Sequence, residues 1–364
     1  MFIFGGESSD SVCQQATQKI DHGGSSRVPV QGASRATMNS NKKVAKDFGQ
    51  GFPKGFVKVN HWDFALMGHV TEEMLAQAYN QPVQKGDVWV VTLPKCGTTW
   101  TQEMVWLLAN DVDFEGAKSP LHERFHFLEF AMLHDPDHVN RLVAKAKELM
   151  PQLPFDVSSL TTMQLGHRRF VKTHLPLSLT PPDLLSKAKV VYVARNPKDM
   201  LVSYFNHLKL LKMQGFDSDL ETLFEYFIKG QALEVPFFPH VLEAWNLRHH
   251  PNMCFLFFED MKRDLKGSVS KVATFLGKTL SEQQLDDLAH HLHFDNFKKN
   301  PFVNNEVLKI IPGFADPERS FVRKGKTGDW KNHFTPEMGR RMDAWIAENL
   351  RGTDLTFVDQ LANQ

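Results

Sequence analysis

The stretch Val90-Val91-Thr92-Leu93-Pro94-Lys95-Cys96-Gly97-Thr98-Thr99-Trp100 holds the parts of a phosphate-binding loop, with the lysine ahead of the glycine. In a Walker-type loop the lysine follows the second glycine, and Mg²⁺ helps to hold a polyphosphate. Here Gly97 would let main-chain N–H groups approach an anion, Thr98 and Thr99 would add hydroxyl donors, and Lys95 would add charge. In isolation the same residues also read as a Pro/Gly turn with a solvated lysine.

Other stretches carry matching chemistry. Arg195 follows the apolar run Lys189 to Ala194, and Ser203 lies eight residues on, so a tight turn would bring both to one anion. Arg323-Lys324-Gly325-Lys326 is a late basic loop punctuated by glycine. Each could be a solvated surface cluster, but together they suit a ligand with two separated phosphate groups. In Arg169-Phe170-Val171-Lys172-Thr173-His174-Leu175-Pro176, residues two apart on a strand share a face, so Lys172 and His174 point the same way. A histidine beside a cation stays unprotonated and is a candidate general base.

The elements that must position these residues alternate between strand and helix. Strands are expected at Asp87 to Thr92, Lys189 to Ala194 and Met253 to Phe258, with helices at Thr101 to Asn110, Met200 to Met213 and Ser268 to Leu276. Short runs apolar on both faces indicate an α/β fold, a single domain with a central parallel sheet flanked by helices. Ligands of such sheets sit beyond the carboxyl ends of the strands, where the basic residues fall. Residues 1–50, rich in Ser, Gly, Gln and Asn, are expected to form a flexible arm, and 51–364 the folded domain.

Composition limits the alternatives. Lys plus Arg and Asp plus Glu number 42 each, so nothing draws the chain as a whole to nucleic acid or an anionic membrane. Three scattered cysteines suit a reducing, cytoplasmic setting, and no apolar run is long enough to span a bilayer. No acidic pair or His/Cys cluster has metal-ligand spacing.

The set "TLPKCGTTW", "FVKTHLP", "VYVARNPKDMLVSYF", "FFEDMKRDL" and "FVRKGKTGDWKNHF", in this order, resembles the cytosolic sulfotransferases, which use 3′-phosphoadenosine 5′-phosphosulfate (PAPS). The resemblance spans roughly residues 52 to 350 and leans toward arthropod members, given the long N-terminal arm and the extra segment from Ala131 to Leu165. It implies that Lys95, Cys96, Gly97, Thr98, Thr99 and Trp100 bind the 5′-phosphosulfate, with Lys95 on the bridging oxygen and Trp100 on adenine. Arg195 and Ser203 would hold the 3′-phosphate with the Arg323-Lys324-Gly325 loop, and Phe294 would contact adenine. Phe258 stands where the family has a tyrosine and Leu292 where it often has a threonine. His174 is implied as catalytic base, with Lys172 beside it.

A sulfonate carries less charge than a transferring phosphoryl group, so one lysine serving the leaving oxygen suffices and no metal is expected. The acceptor would be a small apolar phenol, steroid, retinoid or other alcohol, with Phe64, Phe127, Phe130 and Phe205 as pocket candidates. Two alternatives stay open: a dehydratase that sulfonates an allylic alcohol such as retinol and then eliminates sulfate, and a module that binds the product 3′-phosphoadenosine 5′-phosphate (PAP) without turnover. Lys331, Thr335, Pro336 and Arg340 break the family's KxxxTVxxxE dimer motif at the valine and the glutamate, so a monomer, or a dimer through another surface, is expected.

Overall fold

Strand-length apolar runs with no polar face must be covered on both sides, and that requirement organises the molecule. The computed structural model describes residues 52, 55–59, 63–150 and 168–359; the expected arm and most of its boundary lie outside them. A hairpin of β1 (Phe56–Val59) and β2 (Phe64–Met67) pairs antiparallel. The central strands are β3 (Val88–Thr92), β4 (His126–Phe127), β5 (Phe170–Thr173), β6 (Lys189–Ala194) and β7 (Met253–Phe257). They form one sheet in the order β4-β5-β3-β6-β7, every pair parallel.

Alternation along the strands divides the core in two. Trp89, Val91, Val190 and Tyr192 pack into one hydrophobic cluster, while Val88, Val90, Val191 and Val193 pack into the other. The helix Thr98–Ala109 covers the second face with Val105 and Leu108, and Phe237–Asn246 covers the first with Phe237 and Phe238. The chain leaves β3 toward the β5 side and leaves β6 toward the β7 side. The reversal puts a crevice at the carboxyl ends of β3 and β6, where Lys95 and Arg195 follow their strands.

Three helices begin a turn earlier than periodicity alone suggests, because the residues ahead of the apolar pattern are caps. Gly97 caps Thr98–Ala109 in a left-handed conformation, and Asn196 caps Pro197–Leu210 by accepting from the Lys198 N–H. Asp264 caps Leu265–Leu276 by accepting from the Gly267 N–H. Phe258, expected to end its strand, instead opens the helix Phe258–Arg263, which also holds Glu259 and Asp260. Of the extra segment, Phe130–Leu133 and Pro136–Leu149 are helical and residues 151–165 fall outside the description.

Candidate active site

Arg195 joins two of the basic stretches directly. Its Nη1 donates to the Lys95 carbonyl oxygen at 2.9 Å and its Nη2 to the Lys326 carbonyl oxygen at 3.2 Å, while its buried Nε has no partner. The guanidinium also lies 4.2 Å from the centre of the Phe258 ring. Rigid backbone acceptors thus fix the fork, and one donor is left over beside a cavity whose lining includes Lys95, Gly97, Thr98, Thr99 and Trp100. Arg195, Ser203, Phe258 and Phe294, with Arg323, Lys324 and Gly325, line the same cavity.

Two glycines make this closeness possible. Gly97 has φ of +100°, and a Cβ there would lie 2.9 Å from the Phe258 ring; Gly325 has φ of +59°, and a Cβ there would overlap the Phe294 ring. Both positions need a residue without a side chain for conformation and for space. Trp100 packs edge-on to Phe258 at 5.8 Å, and its indole N–H donates to the Leu292 carbonyl oxygen at 2.8 Å. Leu292 itself is buried in the core, so its side chain offers packing where a threonine would offer a hydroxyl.

Acidic residues that motif reading did not single out hold the loops in place. Asp199, in the first turn of Pro197–Leu210, accepts from the main-chain N–H groups of Gly328 and Trp330. Asp329 accepts from Arg323 at 2.9 Å and Lys324 at 2.8 Å. Burial opposes its ionisation, but the bonds from Lys324, Arg323 and Asn332 hold this carboxyl far below the usual range. Glu259 accepts from the Asn196 N–H at 3.0 Å and fixes the end of β6. An acid close in sequence to a basic loop is the signal that could have identified Asp329; Asp199 and Glu259 reach their partners only through the fold.

Lys95 is a buried cation among cations. Burial, then Arg195, Arg323 and Lys172, lower its pKa to about 7. Its ammonium lies 4.0 Å from the centre of the Phe321 ring and donates to the Phe321 carbonyl oxygen at 3.4 Å. Its backbone has φ of +63°, an uncommon conformation for a side-chain-bearing residue. Crowded, desolvated positive charge and a spare Arg195 donor are the chemistry of a polyanion site. Among the described residues no group of three or more His, Cys, Asp or Glu could hold a metal ion.

On the opposite wall, His174 follows β5 and lines the cavity with Lys172. The His174 Nδ1 is 2.9 Å from the Thr92 carbonyl oxygen, which can only accept, so Nδ1 carries the proton and Nε2 keeps its lone pair. Burial and then Lys172 lower the imidazole pKa to about 3. The Thr92 hydroxyl meets that of Thr98 at 2.6 Å, linking the histidine's support to the first residue of the loop helix. Glu129 accepts from the His174 N–H at 2.5 Å and the Thr173 hydroxyl at 2.6 Å, and the His174 carbonyl accepts from His240 at 3.0 Å. Backbone and ring are therefore held at several points. The Lys172 ammonium rests over the Phe127 ring at 3.8 Å, and that ring meets His174 edge-on at 5.5 Å.

Of the pocket candidates, Phe127 and Phe130 line the cavity, whereas Phe64 and Phe205 do not. Phe64 is fully buried behind the site against His240, and Phe205 turns to Phe216. Strand and helix geometry direct both side chains into the core. The Cys96 side chain is likewise buried in the core and outside the lining, because Lys95 and Gly97 on either side turn to the cavity; burial pushes its thiol pKa far up. His134, His207, Glu234 and Phe314, which lie outside any motif, and Phe321, the first residue of the Arg323 motif, line the cavity without having been singled out.

Residues 85–354 match the family model described as a sulfotransferase domain. The chain is 35% identical over 298 residues to sulfotransferase 1A1 of Mus musculus, covering 79% of this chain and 93% of that protein. It is 32% identical over 282 residues to luciferin sulfotransferase of Photinus pyralis, covering 74% of this chain and 73% of that one. Among solved structures, retinol dehydratase with androsterone and the inactive cofactor PAP superposes with a TM-score of 0.78 at 38% identity, covering 87% of this chain and 96% of that one. Retinol dehydratase with retinol and PAP gives 0.77, also at 38%, covering 87% and 97%. The chain is therefore a member of the sulfotransferase family, an enzyme whose sulfonate donor is PAPS.

Proposed function

We propose that this chain moves the sulfonate of PAPS to the hydroxyl of a small, largely apolar acceptor, with His174 as general base. The observation that carries the reading is the convergence of Lys95, Arg195, Ser203 and the Arg323–Gly325 loop with His174 on one cavity. Trp100 and Phe294 would flank adenine, Arg195 and Ser203 would hold the 3′-phosphate with Arg323 and Lys324, and Thr98, Thr99 and Lys95 would hold the 5′-phosphosulfate. PAPS supplies the sulfonate group. His174 Nε2 takes the acceptor proton, the acceptor oxygen attacks sulfur in line, and Lys95 donates to the departing bridging oxygen. Lys172 steadies the acceptor oxygen as it loses its proton.

A base with a pKa of about 3 is weak in the free site, first because burial disfavours its charged form and then because Lys172 and other cations stand near it. A bound polyanion offsets those cations, so the imidazole regains the part of its basicity that they remove.

Elimination is a second reading, supported by the likeness to two retinol dehydratase structures. Mass spectrometry of the products from a panel of phenols, steroids and allylic alcohols separates the two: gain of one sulfonate for transfer, loss of one water for elimination. Binding of PAP with neither product from any acceptor would leave only the non-catalytic module.

The domain would begin near residue 51 and work as a monomer, or as a dimer formed through a surface other than the broken motif. Thr335, the threonine of the broken dimer motif, caps the helix Pro336–Asn349 by accepting from Met338, and Pro336 occupies its first turn. Cys96 and Cys254 are free and buried, which suits a cytoplasmic setting. Among the described residues no helix is long and apolar enough to cross a membrane.

A further inference from the structure

Glu234 is a carboxyl group in a place where an aromatic-lined pocket has no need of one. It lines the cavity shared by Lys172 and His174, is 2% exposed, and its Oε1 has no hydrogen-bond partner. Its backbone is held on both sides: the Glu234 N–H donates to the Ala65 carbonyl at 2.7 Å and the Ala65 N–H donates to the Val235 carbonyl at 2.9 Å. The Tyr204 hydroxyl donates to the Leu233 carbonyl at 2.7 Å. Held this way, Glu234 has φ of +57°, a left-handed conformation that glycine or asparagine would adopt more readily. A buried acid kept in an unfavourable backbone conformation, with an oxygen unpaired, calls for a role beyond packing.

Charge accounting around Lys172 assigns the protonation state. Glu129 and Glu234 both feel the charge of Lys172, and one ammonium can balance one carboxylate. Glu129 accepts from the Thr173 hydroxyl and the His174 N–H, so it is the better place for the negative charge. Burial and the neighbouring Glu129 raise the Glu234 pKa well above the usual carboxyl range, while Lys172 opposes them. A neutral carboxyl can both donate and accept, which suits a hydroxyl better than a cation or an anion.

We propose that Glu234 is a specificity-determining residue that recognises a second hydroxyl of the acceptor, close to the one that is sulfonated. The preferred acceptors are then vicinal diols of the catechol type rather than purely apolar alcohols. This inference rests on the sulfotransferase reading of the cavity and adds the substrate class. A pocket built to pair with a hydroxyl discriminates against the analogue that lacks it, because the buried polar group is then left unmatched.

The test is binding to the dead-end complex with PAP, which needs no turnover. Calorimetry would compare 2,3-dihydroxynaphthalene with 2-naphthol on wild type, Glu234→Gln and Glu234→Leu. Wild type is expected to prefer the diol by roughly 5- to 10-fold, as for one buried hydrogen bond. Glu234→Gln, which still donates and accepts, is expected to keep the preference, and Glu234→Leu to erase it. A wild-type ratio near one overturns the assignment, as does loss of preference in Glu234→Gln equal to that in Glu234→Leu. Where the leucine variant does not fold, Glu234→Met takes its place with the same expected loss of preference, and a preference kept in it overturns the assignment. Failure of PAP to bind sinks the underlying reading, whereas PAP binding without discrimination between the naphthols sinks only the role of Glu234.

Discussion

The Nδ1 of His174 lies 2.9 Å from the carbonyl oxygen of Thr92, the last residue of the strand that leads into the Lys95 loop. A main-chain acceptor cannot be protonated away or rotated aside, so the tautomer that leaves Nε2 basic is built into the sheet. Replacing His174 by Ala is expected to lower kcat by about 10²- to 10⁴-fold. PAP affinity should hold, because the phosphate-facing cations are untouched. Single-turnover kinetics and calorimetry check this, and near-normal turnover would remove His174 from the mechanism.

Lys95 sets an expectation for pH. Burial, Arg195, Arg323 and Lys172 lower its pKa to about 7 in the free protein, and the cationic form is the one that can serve a leaving oxygen. A lowered lysine pKa means that the charged form is present below that value and lost above it. So kcat/KM for PAPS should fall as pH rises through about 7, while kcat at saturating PAPS persists to higher pH, since the bound anion restores the proton. A kcat/KM profile flat from pH 6 to 9 would contradict the assignment.

Gly97 and Gly325 should not tolerate alanine. At Gly97 the added methyl would lie 2.9 Å from Phe258 at a φ of +100°; at Gly325 it would overlap Phe294. Strain of about 1–3 kcal/mol is expected at each, read as PAP affinity weakened by roughly tenfold or more, with Gly325→Ala the worse. Pairing Gly97→Ala with Phe258→Leu should recover part of the loss, and no recovery would place the defect in the backbone alone.

Asp329 holds Arg323 and Lys324, so Asp329→Ala tests whether an anchored loop matters more than two free cations. PAP affinity is expected to fall by about tenfold, the scale of a charge-assisted hydrogen bond, with faster amide exchange across residues 323–328. Tighter PAP binding would mean that Asp329 competes with the ligand for these side chains.

The sequence by itself determined the chemistry and the class of fold. Runs such as Lys189 to Ala194 admit little besides a buried parallel strand, because no residue in the middle of the run tolerates water. The motif set, with a lysine ahead of the glycine, named a sulfonate-handling family whose membership the comparisons show. Boundaries were less legible where a cap such as Asn196 or Asp264 started a helix before its apolar pattern began. Only the tertiary structure decided which of many similar side chains face the cavity. Phe127 and Phe130 do and Phe64 does not, since among phenylalanines the side of a strand or helix that meets the core depends on neighbours far away in the chain. Glu129 and Glu234 were silent for the same reason: a carboxyl becomes notable when burial removes its water and Lys172, Thr173 and Ala65 surround it, and those partners lie from about forty to over a hundred and sixty positions away in the chain.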